Sequence, residues 1–303
     1  MNGPILLDEV VSGIKSLKRG KAAGIDGIRS EFYQINNPNL ITVIHKIICH
    51  IFYSGVYPAS WSSSMITPLY KKGNASEVKN YRGINLINVM SKIFSHILQS
   101  RLKHWCEINN LIPEEQAGFR SNYSTVDNIF SLSALVQKYI TKPRGRFYVL
   151  FVDFRVAFDN INRDKLWTVL KKDGCHGRML NIIKSMYKNV MISIRVLQNE
   201  MTNCNNSINN ENVSSRFCIT ECFKSMSGVK QGCILSPILF NLYIAELKEH
   251  FEELGIRHVP LLTNDTSTSM LFYADDVAVF ADTVFDMQKK KLICYTIFVQ
   301  NGV

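Results

Sequence analysis

Two adjacent acids, Asp275 and Asp276, interrupt the apolar stretch LFYADDVAVFAD, whose other residues are typical of the middle of a sheet. Residues 271–273 and 277–280 both have strand character, so the sequence predicts a hairpin with the two acids at its tip. Because Asp is also a favoured turn residue, the pair by itself is compatible with an ordinary turn.

A third acid, Asp153, lies near the end of a second apolar run, RFYVLFVDF, which has the length and composition of a strand buried on both faces. If this strand joined the sheet of the hairpin, three carboxylates would lie close together. Two like charges about 4 Å apart repel by roughly 4 kcal/mol at an effective dielectric near 20, and bound cations would relieve this repulsion. Ligands that offer only oxygen favour Mg²⁺.

The elements that must position these acids divide the chain into two regions. Up to residue 145, apolar residues recur mainly at helical spacing, around two strand-like segments in MITPLYKKGNASEVKNYRGINLI. From residue 146 onward, strand patterns alternate with helical segments, one of which begins near Ser236 and Pro237. Residues 198–215 are rich in asparagine and predict an exposed loop.

Composition indicates a globular protein with an anionic partner. The chain is 46% hydrophobic, and its formal net charge of +10 suggests nucleic acid or an acidic membrane surface. No stretch reaches the roughly 18 to 20 apolar residues of a membrane span, and the N-terminus lacks the pattern of a signal peptide. The cysteines have the spread of reduced thiols, although Cys218, Cys222 and nearby Cys204 leave a zinc site open. We therefore expect an intracellular protein, nuclear or cytoplasmic, that is not secreted.

Three segments, in this order, resemble palm motifs A, B and C of the reverse transcriptases of LINE-type (non-LTR) retrotransposons: FVDFRVAFDNINRDKLW, GVKQGCILSPILFNLYI and FYADDVAVF. Upstream, LKRGKAAGIDGI, YKKGNASEVKNYRGINLINVMSKIFSHIL and EEQAGFRSNYSTVDNIF resemble finger-region blocks of the same family. The similarity covers about residues 5–285. It implies an α+β fold, the right-hand polymerase arrangement of fingers and palm, with an antiparallel palm sheet packed on helices.

The resemblance also implies a division of the chain. Residues 1–145 would form an N-terminal extension and mostly helical fingers, with a basic β-hairpin near residues 66–87. Residues 146–303 would form the palm, with a helical finger insertion near residues 165–190. We expect a truncated C-terminal end after Asp276, with the thumb missing or cut short.

The same resemblance implies two-metal nucleotidyl transfer. Two Mg²⁺ ions, or Mn²⁺ in their place, would be held by Asp153 and Asp275, would activate the primer 3′-hydroxyl and would stabilise the leaving pyrophosphate. Asp276 would be a close auxiliary carboxylate and metal ligand. Phe158 matches the residue whose ring packs under the incoming sugar and excludes a ribose 2′-hydroxyl, although the residues alone favour a core Phe. Arg120, in GFR, is a further candidate for template contact.

Other matches concern nucleotide binding. Lys71 or Lys72, together with Arg82, match the basic finger residues that hold the triphosphate, where a guanidinium offers paired donors. The sequence does not decide between the two lysines, and YKKGN by itself is typical of a solvated turn. Gln231 and Gly232 match the motif that lies against nucleotide and template, where glycine allows close backbone approach.

Two features depart from the family pattern: Val156 stands where the family commonly has a lysine, and the asparagine-rich insertion lies just before motif B. The predicted function is that of an RNA-directed DNA polymerase (reverse transcriptase) domain, with an RNA template, a DNA primer and dNTPs as partners. The alternative is a catalytically inactive remnant that binds RNA or an RNA/DNA hybrid. A phosphate-cradling NTPase is excluded, because GIKSLKRGKAAG lacks the required G-x-x-x-x-G-K-[ST] spacing. The sequence does not indicate an oligomeric state.

Overall fold

The computed structural model describes residues 1–154, 156–197, 217–256, 258–260 and 267–301. The chain forms two compact units. Unit 1 comprises Met1–Arg101, His176–Met226 and Lys230–Leu235, and unit 2 comprises Leu102–Cys175, Ser227–Val229 and Ser236–Val303. The predicted asparagine-rich loop lies outside the described residues. Within the described part of the chain, no helix has both the length and the apolar character needed to cross a membrane.

Helices and strands occur in groups along the chain, and most of the described strand pairs are antiparallel, as in an α+β protein. The helices are α1 (Leu7–Lys15), α2 (Pro38–Ser54), α3 (Ala59–Ser62), α4 (Val89–Ile108), α5 (Thr125–Ile140), α6 (Arg163–Lys172), α7 (Gly177–Lys188), α8 (Ser236–Glu253) and α9 (Val284–Asn301). The strands are β1 (Ser64–Tyr70), β2 (Tyr81–Leu86), β3 (Tyr148–Asp153), β4 (Met191–Leu197), β5 (Phe217–Ile219), β6 (Phe223–Lys224), β7 (Val259–Pro260), β8 (Ser267–Thr268), β9 (Met270–Tyr273) and β10 (Asp276–Ala281).

Each unit contains a sheet of its own. In unit 1 the strand order is β2-β1-β4-β5, with β6 also paired to β4, and the sheet is mixed because β1 and β4 are parallel while the other pairs are antiparallel. In unit 2 the order is β3-β10-β9, with both pairs antiparallel. Two short strands, β7 and β8, form a separate antiparallel pair in unit 2.

Helix α2 shows how local sequence defines an element of unit 1. The Asn37 side chain accepts hydrogen bonds from the first free N–H groups, Pro38 occupies the first turn, and Gly55 ends the helix with φ 68°. These are the residue types that start and stop helices at least cost. The buried residues of α2, all apolar and at helical spacing, face the core: Ile44, Ile48, Ile51 and Phe52.

The sheet of unit 2 is anchored at one end by aromatic packing. Phe147, just before β3, stacks on Tyr139 of α5 with ring centroids 5.3 Å apart, and it lies 5.5 Å from Phe280 of β10. Leu135 of α5 belongs to the same buried cluster. This packing fixes α5 on the sheet and leaves the opposite end of β3 and β10, which carries the acids, free of the cluster.

Strand β3 is not buried on both faces, so that expectation was wrong. It lies at the edge of its sheet and pairs with β10 alone among the described strands. Phe151 is 72% exposed, so the face of the sheet from which it projects is open to solvent at this residue. An apolar run cannot distinguish a strand covered on both faces from one covered on a single face, because that difference depends on neighbours distant in sequence.

At the C-terminal end of α6, Asp173 lies where the charged form of its carboxyl group is disfavoured. Burial, and then the charge of Glu249, raise the pKa of Asp173 from 3.8 to about 6, while Lys172 opposes this increase. Asp173 is the C-cap residue of α6, where the helix dipole also disfavours negative charge. Its folded-state pKa lies above the unfolded value, so the unfolding free energy falls as pH rises through this interval.

We therefore expect Asp173→Asn to stabilise unit 2 at pH 7.5 by about 1 kcal/mol, a figure reduced for solvent screening, and to have little effect near pH 4. Urea unfolding of both proteins at the two pH values measures this difference. A stability change that is equal at both pH values would show that the charge is not responsible.

Candidate active site

Two of the three acids face each other across neighbouring strands. In the register of β3 and β10, Asp153 lies directly opposite Asp276. Residues that are directly opposite in an antiparallel pair project from the same face, with Cβ atoms about 4.5–5.5 Å apart. The fold therefore joins carboxylates that are far apart in sequence, in a single unit.

Asp275 lies in the turn next to this pair. Because Asp276 pairs with Tyr273, the turn between β9 and β10 has only two residues, Ala274 and Asp275. Asp276 is thus the first residue of β10 rather than part of the tip. Asp275 is half-buried, whereas Asp153 and Asp276 are exposed.

The three negative charges interact. Partial burial raises the pKa of Asp276 above its usual value, and the charges of Asp275 and Asp153 raise it further. Within the described residues, no group of three or more His, Cys, Asp or Glu side chains is arranged to hold a metal ion. The donors present are carboxylate oxygens only, which fits Mg²⁺, since that ion takes one or two carboxylates and completes its shell with water and substrate phosphates.

The turn itself is held by a residue that the sequence analysis did not select. Gln116 Oε1 accepts a hydrogen bond from the Ala274 N–H (3.0 Å), and Gln116 Nε2 donates to the Ala274 carbonyl (3.3 Å). Gln116 is 1% exposed. In the sequence, the only signal was an amide side chain within the EEQAGFR segment, and this does not reveal that the side chain is buried or which backbone groups it binds.

Phe158 lies in the loop after β3, where its ring is half-buried. It stacks on Phe240 of α8 with centroids 5.0 Å apart and meets Phe119 edge to face at 6.2 Å. Phe119 is 52% exposed and has φ 62°, a left-handed conformation that is uncommon for a bulky residue. The two rings therefore form an aromatic surface that is partly open to solvent.

The backbone around Phe158 is closely fixed. The Phe158 carbonyl accepts a hydrogen bond from the Val229 N–H (2.7 Å), and the Ile161 carbonyl accepts one from Gly228 (2.9 Å). A Cβ at Gly228, where φ is 75°, would lie 2.5 Å from the carbonyl oxygen of Asp159. Only glycine fits this contact, which ties the loop of motif A to the start of motif B.

Val156, the departure from the family pattern, is 50% exposed and has φ 57°. A β-branched residue in this conformation is strained. Its carbonyl accepts hydrogen bonds from Asp159 and Asn160, so the tight turn of motif A holds it in place.

In unit 1, the basic candidates lie on and near the β1–β2 hairpin. Arg82 is opposite Leu69 on the exposed face of β2, and Lys71 and Lys72 begin the connecting loop, which the Lys71 N–H closes by donating to the Asn80 carbonyl (2.8 Å). In the part of the chain that the structure describes, the charged groups of these three cations make no ion pair. All three side chains are exposed.

Gln231 and Gly232 also lie in unit 1, beside β2. The Gln231 carbonyl accepts a hydrogen bond from the Asn85 N–H (3.2 Å). Gly232 has φ 100°, and a Cβ there would lie 3.1 Å from the Asn85 carbonyl oxygen. Glycine at this position therefore allows two backbone segments of unit 1 to approach each other closely.

Arg120 is engaged inside unit 2. Its side chain is 6% exposed and forms ion pairs with Glu107 (3.0 Å) and Glu114 (3.7 Å). Its guanidinium also lies 4.2 Å from the ring centroid of Tyr123. These contacts hold the guanidinium within unit 2, and a template contact of Arg120 stays a prediction.

Comparison with known proteins relates this geometry to a family. The model of the family "Reverse transcriptase (RNA-dependent DNA polymerase)" matches residues 69–303. The probable RNA-directed DNA polymerase from transposon BS of Drosophila melanogaster is 25% identical over 91% of this chain. The transposon TX1 149 kDa protein of Xenopus laevis is 23% identical over 94% of this chain. The chain spans 28% and 20% of the lengths of these two relatives.

A solved structure supports the fold. Apo telomerase from Candida tropicalis, truncated from its C-terminal domain, superposes with a TM-score of 0.51 at 12% sequence identity. The similarity covers 95% of this chain and 57% of the telomerase chain. At this level of identity the match concerns the α+β fold alone.

Proposed function

This chain belongs to the reverse transcriptase (RNA-dependent DNA polymerase) family and is related to the polymerases of non-LTR retrotransposons, and from this we propose that it extends a DNA primer along an RNA template. The observation that carries the proposal is the register of β3 and β10, which places Asp153 opposite Asp276 beside the turn residue Asp275. Such a cluster of carboxylates suits phosphoryl chemistry with divalent cations.

We assign the fingers to residues 1–145 and the helical insertion near residues 165–190, and the palm to the remainder of residues 146–303. Unit 1 supports part of the first assignment, since it combines residues 1–101 with α7, whereas residues 102–145 and α6 belong to unit 2. The antiparallel β3-β10-β9 sheet of unit 2 supports the second.

In this proposal the acids have distinct roles. Asp153 and Asp275 are the principal ligands of the cations, and Asp276 adds negative charge beside them. When bound, two Mg²⁺ ions would lower the pKa of the primer 3′-hydroxyl and neutralise charge on the leaving pyrophosphate. The hydrogen-bonded hairpin would hold the carboxylates in place before substrate arrives, which would limit the reorganisation needed during the reaction.

The remaining candidates would bind the nucleotide. Arg82, with Lys71 or Lys72, would pair with triphosphate oxygens, because these cations are exposed and make no ion pair within the described residues. Phe158 would pack against the sugar of a dNTP and exclude a 2′-hydroxyl, with Phe119 beside it.

Gln231 and Gly232 would line the surface for the nucleotide and template. The tight backbone approach of Gly232 to Asn85 keeps this segment in a defined position. A side chain at position 232 would displace the segment that contains Gln231 and Gly232.

Primer extension tests the proposal directly. We expect the chain to add dTTP to oligo(dT) on poly(rA) in the presence of Mg²⁺ or Mn²⁺ and to stop when EDTA removes the cation. Binding to the same duplex, followed by fluorescence anisotropy at several salt concentrations, is measured in parallel. Binding without extension would support the alternative of a catalytically inactive nucleic-acid-binding protein. The absence of both binding and extension would contradict the proposal that this chain is an active polymerase.

A further inference from the structure

The turn that carries Asp275 contains a strained residue. Ala274 has φ 58°, in the left-handed region that residues with a Cβ atom rarely adopt. It is 8% exposed, so its backbone groups have little access to water. Strained residues of this kind persist only where the surroundings hold them, and they concentrate at functional sites.

Gln116 supplies this restraint. Its side-chain amide binds both backbone groups of Ala274, and its Oε1 also accepts a hydrogen bond from the Gly118 N–H (2.7 Å). All of these groups are buried. One side chain thus fixes the orientation of the peptide groups on both sides of Ala274, one residue before Asp275.

The segment that carries Gln116 is packed tightly enough to hold it in place. A Cβ added to Gly118 would lie 2.1 Å from the Ala274 nitrogen, so only glycine fits beside the turn. The Gly118 carbonyl accepts a hydrogen bond from Asn241 Nδ2 of α8 (2.9 Å), and this contact is also buried. The amide of Gln116 is therefore positioned by the core of unit 2.

Other contacts hold strand β9 without involving the turn. The Phe272 N–H donates to the Glu115 carbonyl (2.8 Å), and the Phe272 carbonyl accepts from Ala117 N–H (3.0 Å) and from Asn128 Nδ2 (2.9 Å). Removal of the Gln116 amide would leave these bonds intact. Its loss should release the turn while the strand stays paired.

We propose that Gln116 is a positioning residue that clamps the Ala274–Asp275 turn and so holds the carboxylates of the hairpin in the arrangement that binds divalent cations. The cation part of this inference rests on the proposed function. The clamp on the turn does not, because it follows from hydrogen bonds within the protein alone.

The decisive variant is Gln116→Met, which keeps a side chain of similar length and removes all three hydrogen bonds of the amide. Gln116→Glu, which retains an acceptor for Ala274 and Gly118, is a milder variant in case the first does not fold. Asn128→Ala is the matched control, because it removes a side-chain hydrogen bond to the same hairpin two residues before the turn. Thermal unfolding of each variant verifies that it is folded.

The first measurement is hydrogen–deuterium exchange of the metal-free protein, read on peptides that cover residues 272–277. We expect Gln116→Met to accelerate exchange in the turn by about tenfold or more, because the Ala274 N–H loses its acceptor, and Asn128→Ala to leave the turn unchanged. We expect a smaller acceleration in Gln116→Glu, which keeps the acceptor of the Ala274 N–H and loses only the Nε2 donor to the Ala274 carbonyl. Unchanged exchange in folded Gln116→Met would overturn the clamp. If Gln116→Met does not fold, unchanged exchange in Gln116→Glu would overturn the part of the clamp that the Nε2 donor provides.

The second measurement is Mn²⁺ affinity, from the electron paramagnetic resonance of free Mn²⁺, with Asp275→Asn as reference for loss of the site. We expect Gln116→Met to weaken Mn²⁺ binding by about tenfold, as for other residues that orient ligands, and Ala274→Gly to restore part of this loss by removing the strain at the turn. Faster exchange with unchanged Mn²⁺ affinity would overturn the positioning role. If wild type does not bind Mn²⁺, or binds it no more tightly than Asp275→Asn, the proposed function is overturned. The hydrogen–deuterium exchange result would then be the only test of the clamp.

Discussion

Asp275→Asn and Asp153→Asn are expected to lower nucleotide incorporation by about 10³-fold or more, as is typical when one member of a catalytic group is removed. Each change keeps the shape of the side chain and removes a negative charge that acts on Asp276. The variants should therefore fold at least as stably as the wild type. Single-nucleotide incorporation at saturating dNTP, with thermal unfolding in parallel, separates lost chemistry from lost structure.

Asp8→Asn is the matched control for this experiment. Asp8 is an exposed acid in the first turn of α1, so its replacement changes the net charge equally. We expect it to retain wild-type incorporation. Activity near the wild-type level in Asp153→Asn or Asp275→Asn would contradict the metal-ligand assignment.

Asp276→Asn decides between two arrangements of the ligands. The resemblance to the family implies Asp153 and Asp275 as the principal ligands, whereas the strand register places Asp276 directly opposite Asp153. A smaller loss for Asp276→Asn than for Asp275→Asn would support the auxiliary role. An equal loss would make the cross-strand pair itself a ligand set.

Phe158→Val is expected to reduce discrimination against ribonucleotides by roughly 10²-fold, in line with the effect of one removed steric contact in a binding pocket. The smaller side chain leaves room for a 2′-hydroxyl where the ring would exclude it. Values of kcat/KM for dGTP and GTP on poly(rC)·oligo(dG) measure the ratio. Incorporation of dGTP should persist, since no metal ligand changes.

Phe154→Val controls for the loss of aromatic packing. Phe154 is 7% exposed and, like Phe158, packs on Phe240, with centroids 6.4 Å apart. This variant should lose stability without changing the choice of sugar. If both variants changed sugar selectivity equally, the effect would come from the packing around Phe240 and Phe158 would be a core residue.

The sequence by itself was enough to identify the family and to predict the chemistry. The acids stand out because carboxylates are rare within apolar strand-like runs, and the apolar periodicity that predicts strands and helices acts over a few neighbouring residues. The hairpin of β9 and β10 is local for the same reason. The family match over residues 69–303 confirms the resemblance that the ordered motifs indicated.

Only the tertiary structure decided how these parts meet. The pairing of Asp153 with Asp276, the exposure of Phe151 at a sheet edge and the engagement of Arg120 by two glutamates all depend on residues brought together across the chain. The clamp by Gln116 is the clearest case, because it joins a side chain to backbone groups 158 positions away. A local pattern records which residues are present, whereas the partners of buried backbone groups are set by packing, and this is why the sequence alone did not reveal the clamp.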